Sequence, residues 1–346
     1  MKRIYGKMAI LICLTLVFVI SQVNANAAEN VLVVAMYGGD FQKSLDKALM
    51  KDFEKKYNVK VLVESGVSSA QSAKIRAQKK RPQIDVAILD QGDESLLGKE
   101  GLLEKLTPNE VPNIGDLYDI ARNPKGVSPG FTFDILGLVY NKANIKTPPA
   151  SWNEMWDPRY KSKINLCAIQ IVIGYLTLNM AAILNGGDLY NIDPGFQALE
   201  KLKPNVNGII SSAAMTIPAV ATGEIWLLPF YNARTQLAIN KGAPIGFSVP
   251  KEGGFVQMNT ISVVKNAKHA DLAKKFVNMA LSPDVQKKFA EFMYYGPTNK
   301  KVKLAPEVIN RTVYGPEAVS KLLSVDVDYV NKNRGEWSER FDKIFQ

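Results

Sequence analysis

The chain has 346 residues, a formal net charge of +10, one histidine and two cysteines. A single histidine argues against a histidine metal cage and a Ser-His-Asp triad. His269 also lies in 267–275, which reads as an exposed helix start. Lys and Arg are scattered, with Lys79-Lys80-Arg81 the one tight cluster, so the basic balance reads as solvated helix faces and not as a nucleic-acid surface.

The chain opens with Lys2, Arg3 and Lys7, an apolar run over 8–20, and Ala25-Asn26-Ala27. This is the pattern of a secretory leader cut before Ala28. Cys13 lies inside the apolar run without the small residues of a lipoprotein site. The expected product is therefore a soluble periplasmic protein whose one cysteine, Cys167, has no intramolecular disulfide partner.

Val31 to Met36 is an unbroken apolar run, suited to a buried parallel strand. Phe41, Leu45, Leu49, Phe53 and Tyr57 then recur every four residues, predicting an amphipathic helix. Strands follow at 59–63 and 84–89, around a helix at 72–80. This βαβαβ order predicts right-handed crossovers and a doubly wound sheet. The GxGxxG pattern of a dinucleotide site is missing.

Ligands of such sheets bind beyond the carboxyl ends of the strands. That rule selects 37–41, 65–69 and 90–93, and within them Gly39, Asp40, Ser68, Asp90 and Gln91. Each aspartate can equally cap its following helix. A strand at 135–140 follows Phe133 and Asp134, and 131–141 reads as a first crossing into a second lobe. The run 166–184 is apolar enough to suggest a membrane span. Gln170, Asn179 and Gly186-Gly187 favour a buried helix instead. A strand at 224–228 leads to Tyr231 and Arg234, where an arginine beside aromatics suits a carboxylate clamp or a surface ion pair. The segment 249–264 breaks at Gly253-Gly254 and resumes as strand, carrying Glu252, Gln257 and Asn259 where they can face a cleft. Ser282-Pro283 starts a helix, and two short helices at 316–323 and 329–334 finish the chain.

Several of these pieces, in this order, resemble the periplasmic solute-binding proteins of the spermidine/putrescine type. They are Tyr37-Gly38-Gly39-Asp40, the run 151–161 beginning Ser151-Trp152-Asn153-Glu154-Met155-Trp156, Pro250-Lys251-Glu252-Gly253-Gly254, and Gly296-Pro297-Thr298-Asn299. The likeness runs from about residue 30 to the C-terminus. It implies an α/β, two-lobed periplasmic-binding-protein fold of type II, each lobe a doubly wound sheet flanked by helices, joined by a multi-strand hinge. The expected lobes are 28–136 with 259–310, and 137–258 with 311–346. It also implies a monomeric receptor that closes on a small solute and presents it to the membrane permease of an ABC importer, with no cofactor, no metal and no catalysis. An enzyme or a sensor on the same scaffold is the alternative.

In that family, amines are held by carboxylates between aromatic rings. The family's Trp-Met-Asp after the return crossing is here Gln257-Met258-Asn259. The stretch that carries further acids there reads Leu166 to Gln170 here, without a carboxylate. Phe133 keeps the aromatic at the first crossing, while the glycine after it has become Asp134. Phe133 and Tyr231 are expected to wall the pocket. The substitutions shift the expected solute towards an organic acid or an amino-acid-like zwitterion, with Arg234 on its carboxylate and an aspartate on any amine; a polyamine, as in the spermidine/putrescine-binding proteins proper, is the close alternative.

Overall fold

The computed structural model describes residues 31–123 and 126–346, so the expected leader lies outside it. Strand β1 (Val31–Met36) pairs in parallel with β2 (Lys60–Ser65) on one side and β3 (Val86–Asp90) on the other. Side chains alternate across β1. Leu32, Val34 and Met36 enter one core and Ala35 enters another, so both faces are covered. The four-residue spacing of the first helix has a structural counterpart. A straight α-helix would carry such a stripe round by about 40° per step. Here a π-helical segment, Asp46–Met50, lies between the α-helical pieces Asp40–Leu45 and Lys51–Tyr57. Its wider turn keeps Phe41, Leu45, Leu49 and Phe53 all buried in one core.

Strand β4 (Gly130–Asn141) is one strand of 12 residues, buried along its whole length. Its first half pairs with β9 (Val256–Val263), ending at Ile135 opposite Val256. Its second half, from Leu136, pairs with β7 (Leu227–Tyr231) and with β8 (Ile245–Ser248). Beyond β7 lie β5 (Ile164–Cys167) and β6 (Val206–Ile210), so the full order is β2-β1-β3-β9-β4-β7-β5-β6. Two lobes result, each with helices over its part of the sheet. Ile135 belongs to the first lobe's core and its neighbour Leu136 to the second's. The same division falls between Phe255 and Met258.

The return crossing thus falls at 255–256, inside the segment 249–264 that breaks at Gly253-Gly254. Leu323 makes a third crossing, donating its N–H to the Gly254 carbonyl and accepting from the Val256 N–H. Gly254 is required there, because a Cβ would collide with the Leu136 carbonyl of β4. Glu252 does not face the cleft. It accepts from the Ser151 hydroxyl at 2.5 Å and the Trp152 N–H at 3.1 Å, while the Trp152 indole donates to the Gly253 carbonyl at 2.8 Å. Two separate sequence motifs are therefore one clasp behind the hinge.

The apolar run 166–184 divides into the end of β5 and a buried helix, Val172–Leu184. Thr177 and Asn179 donate from their side chains back to carbonyls one helical turn earlier, while the Asn179 Oδ1 is buried without a partner among the described residues. No described helix is long and apolar enough to cross a membrane. The last helix is far longer than expected, Val327–Phe345. Its Val330, Trp337 and Phe341 enter the second core, whereas Val313 and Val319 just before it pack into the first.

Candidate functional site

The cleft between the lobes is built from strand ends. Tyr37 follows β1 and Asp90 ends β3, while Gln257 and Asn259 come from β9. Asp90 sits opposite Asn259 in the β3–β9 register. The Asp90 Oδ1 accepts from the Tyr37 hydroxyl at 2.7 Å and from the Gln257 amide at 2.6 Å. Its N–H donates to the Ser68 hydroxyl at 2.9 Å, so Ser68 holds the backbone of the anchor instead of facing ligand. Both side-chain donors fall on Oδ1, leaving Oδ2 for another cation or donor. Burial pushes the Asp90 carboxyl up, while the two hydrogen bonds and the positive Arg234 oppose that rise. Burial and the neighbouring Asp90 push the Tyr37 phenol well above its ordinary range. Asn259 is buried, donates to the Thr132 hydroxyl at 3.0 Å, and lies 3.4 Å from the Tyr37 hydroxyl. Gln91 donates to Asn123 at 3.1 Å on the flank of the cleft.

From the second lobe, β7 ends at Tyr231 and the helix Asn232–Asn240 begins at once, with Arg234 in its first turn. Arg234 is exposed and forms no ion pair with any described residue. Its charge bears on Asp90, on Asp134 and on the phenol of Tyr295, which burial otherwise raises. Tyr231 is buried, and its hydroxyl has no hydrogen-bond partner among the described residues. Tyr175, on the helix Val172–Leu184, is buried within the electrostatic reach of Asp90. Cys167, at the end of β5, is pushed up to about 12 by burial, which keeps the thiol protonated and unreactive.

Four expectations need correction. Phe133 does not wall the cleft: it is 0% exposed and packs in the first core, because β4 is covered on both faces. Asp134 is not an open anchor. Its Oδ1 accepts from the Ile135 N–H at 2.9 Å and the Ala233 N–H at 3.1 Å, so it holds the start of the helix that carries Arg234. Burial raises its carboxyl to about 7. Asp40 is engaged by Lys241 of the second lobe at 2.7 Å across the cleft rim, and Gly39, at φ 65°, only leads into its helix. The remaining candidate, Gln170, is not among these: it is exposed in a turn before the buried helix, and its side chain makes no described bond.

Tyr175 and Tyr295 join the site without a sequence signal. Tyr175 is hidden in an apolar run whose pattern says core. Tyr295 stacks on Phe289 at 6.0 Å and 17°, and it also reaches Arg234. Among the described residues no group of three His, Cys, Asp or Glu side chains is placed to hold a metal ion. The arrangement suits reversible capture of a small polar molecule between an acid on one lobe and a base on the other.

Comparison with known proteins agrees with this geometry. The chain is 26% identical to the spermidine/putrescine-binding periplasmic protein of Salmonella typhimurium, covering 90% of this chain and 88% of that one. It is 26% identical to the gamma-aminobutyric acid-binding protein of Pseudomonas aeruginosa, over 92% of each. A crystal structure of an ABC transporter protein from Clostridium perfringens superposes with a TM-score of 0.78 at 27% identity, over 91% of this chain and 100% of that one. The family model for bacterial extracellular solute-binding proteins matches residues 48–313, and the chain belongs to that family.

Proposed function

We propose that this protein is the periplasmic receptor of an ABC importer and that its solute carries both an amine and an acid group. The amine sits on Asp90 Oδ2, oriented by Tyr37 and Gln257. The acid group sits on Arg234. Tyr175, Tyr231 and Tyr295 flank the chain between them. The observation that carries this reading is the pairing of two opposite, mutually unbridged charges in one cleft: Asp90 with an open oxygen and Arg234 with no carboxylate partner among the described residues. A diamine would satisfy the first and leave the guanidinium facing a cation, whereas a dicarboxylate would leave Asp90 facing an anion. The gamma-aminobutyric acid-binding relative has, by its name, a ligand with both groups.

The protein acts as a monomer, is exported to the periplasm, carries out no chemistry on the solute and hands it to a membrane permease. Calorimetry with ω-amino acids, putrescine, spermidine and small dicarboxylates tests the reading. ω-Amino acids should bind best, and Arg234→Ala should weaken them by about 2–5 kcal/mol, the cost of removing one side of a buried charged pair. Tight putrescine binding that survives Arg234→Ala would show that the solute is a polyamine instead.

A further inference from the structure

Next to the Asp90 anchor lies a smaller space. A cavity of about 80 Å³ opens between the first lobe's helix Gln91–Lys99 and the second lobe's helices Val172–Leu184 and Val327–Phe345. Asp90, Asp93 and Gln257 line it from one side, and Tyr175, Asn331 and Arg334 from the other. Its volume exceeds one water's share of the liquid, about 30 Å³, and admits a carboxylate-sized group.

Asn331 and Arg334 are three residues apart, so they share one face of their helix. The Asn331 Nδ2 is buried and donates to nothing among the described residues. Arg334 is half-buried and forms no ion pair with any described residue, although the same helix pairs Arg340 with both Asp193 and Glu336. A buried amide donor and a half-buried guanidinium, turned to one cavity, both lack acceptors. A buried donor left without an acceptor is unfavourable, and an incoming oxygen removes that deficit. The guanidinium fork matches a carboxylate in particular. Because the cavity begins at Asp90, a group that reaches it must be attached close to the amine that Asp90 holds.

We propose that this cavity is a second acid subsite. The solute carries a further carboxylate next to its amine, and Asn331 and Arg334 hold it. This rests on the zwitterion reading above and sharpens it. The solute becomes an amine with two acid groups, one far from the nitrogen on Arg234 and one near it on Arg334. Arg334 and Asn331 then set specificity, since a simple ω-amino acid leaves both unsatisfied. Asp93 lines the same cavity from the first lobe and forms no ion pair with Arg334.

The test uses solutes that differ by one carboxylate. These are 4-aminobutanoate, glutamate with its extra carboxylate on the carbon beside the amine, and N-carboxymethyl-4-aminobutanoate with it on the nitrogen. Calorimetry on the full exported protein should find at least one of the two diacids bound tenfold or more tighter than 4-aminobutanoate. Arg334→Gln should erase that advantage and leave 4-aminobutanoate within twofold of its native affinity. Arg334→Lys should restore part of it, and Asn331→Ala should reduce it severalfold. Arg234→Ala should weaken all three alike. Equal native affinities for mono- and diacids would overturn the proposal while leaving the zwitterion reading intact, as would an Arg334→Gln variant that weakens all three equally. If neither monoacid nor diacids bind the native protein, the zwitterion reading fails and this subsite fails with it. Circular dichroism melts of each variant separate lost binding from lost folding.

Discussion

The first-lobe wall of the cleft and the second-lobe wall are finished to different degrees. On the first, Asp90 already accepts two hydrogen bonds, Ser68 holds its backbone, and Asn259 is tied to Thr132. On the second, the Tyr231 hydroxyl and the Asn331 amide have no partners, and Arg234 and Arg334 form no ion pairs, among the described residues. A wall whose polar groups are satisfied by their own neighbours is preorganised. A wall whose groups wait for a partner gains most when a ligand arrives. On the proposed reading, the first lobe recognises the amine as a fixed wall and the second supplies the drive for closure.

The largest expected effect is at the fixed wall. Asp90→Ala removes the carboxylate set between Tyr37 and Gln257 and leaves both donors facing solute. Affinity for any amine should fall by about 3–5 kcal/mol, as for a buried charge deprived of its partner. A calorimetric loss below tenfold would mean that the amine sits elsewhere and that the first wall is not the anchor.

Asp134 separates structure from recognition at the hinge. Its folded carboxyl is raised to about 7 by burial, so the fold favours the protonated form. Its contribution to stability is therefore full below the unfolded value near 4 and is lost as pH climbs from about 4 to about 7. An asparagine at this position does not titrate and keeps an oxygen for the Ala233 and Ile135 N–H groups. Asp134→Asn should match the native melting temperature near pH 4 and exceed it at pH 8. The gain should be no more than about 4 kcal/mol, the free-energy equivalent of a carboxyl raised from about 4 to about 7. A variant less stable than native at pH 8 would show that the charge itself holds the helix.

At the unsatisfied wall, Tyr231→Phe removes a hydroxyl that has no partner among the described residues. The solute-free protein should be unchanged or slightly more stable, and affinity should drop by about 1 kcal/mol if solute supplies the missing bond. Unchanged affinity in titration would leave Tyr231 as a ring wall that makes no polar contact. The smallest effect is expected at the rim. Lys241 and Asp40 are both exposed, and such pairs contribute about 0–1 kcal/mol. Lys241→Ala should slightly weaken closure at low salt and have no effect at high salt, as read by small-angle scattering.

The same division explains what the sequence made legible. Period and run length located β1 to the residue, because a strand buried on both faces writes itself as continuous apolar sequence. The strand-end rule selected Asp90 together with Tyr231 and Arg234, both within its electrostatic reach, because that rule depends only on chain order. It failed where a partner is remote. Asp134 looks like an anchor until Ala233, 99 residues on, donates to it, and Asp40 looks like one until Lys241 does. Phe133 cannot be assigned to a face from sequence, because β4 is buried all round and has no alternation to read. Asn331 and Arg334 carried no signal, since a polar face on a terminal helix is ordinarily solvated.

Strand β4 makes the two cores links in one backbone, with Ile135 in one and Leu136 in the next. Most two-part machines are joined by a tether that either part can ignore. Here the joint is itself the central rung of both sheets, and its twelve residues cannot lose their pairing on one side without exposing an edge on the other. Melting is therefore expected to be a shared event despite two separate interiors, which a single calorimetric transition would check. Any rotation between the parts is shared by three adjacent crossings, at Ile135–Leu136, at Phe255–Val256 and at Leu323, which are hydrogen-bonded to one another. The joint is also the frame: it can twist at these crossings but cannot come apart there without exposing a strand edge.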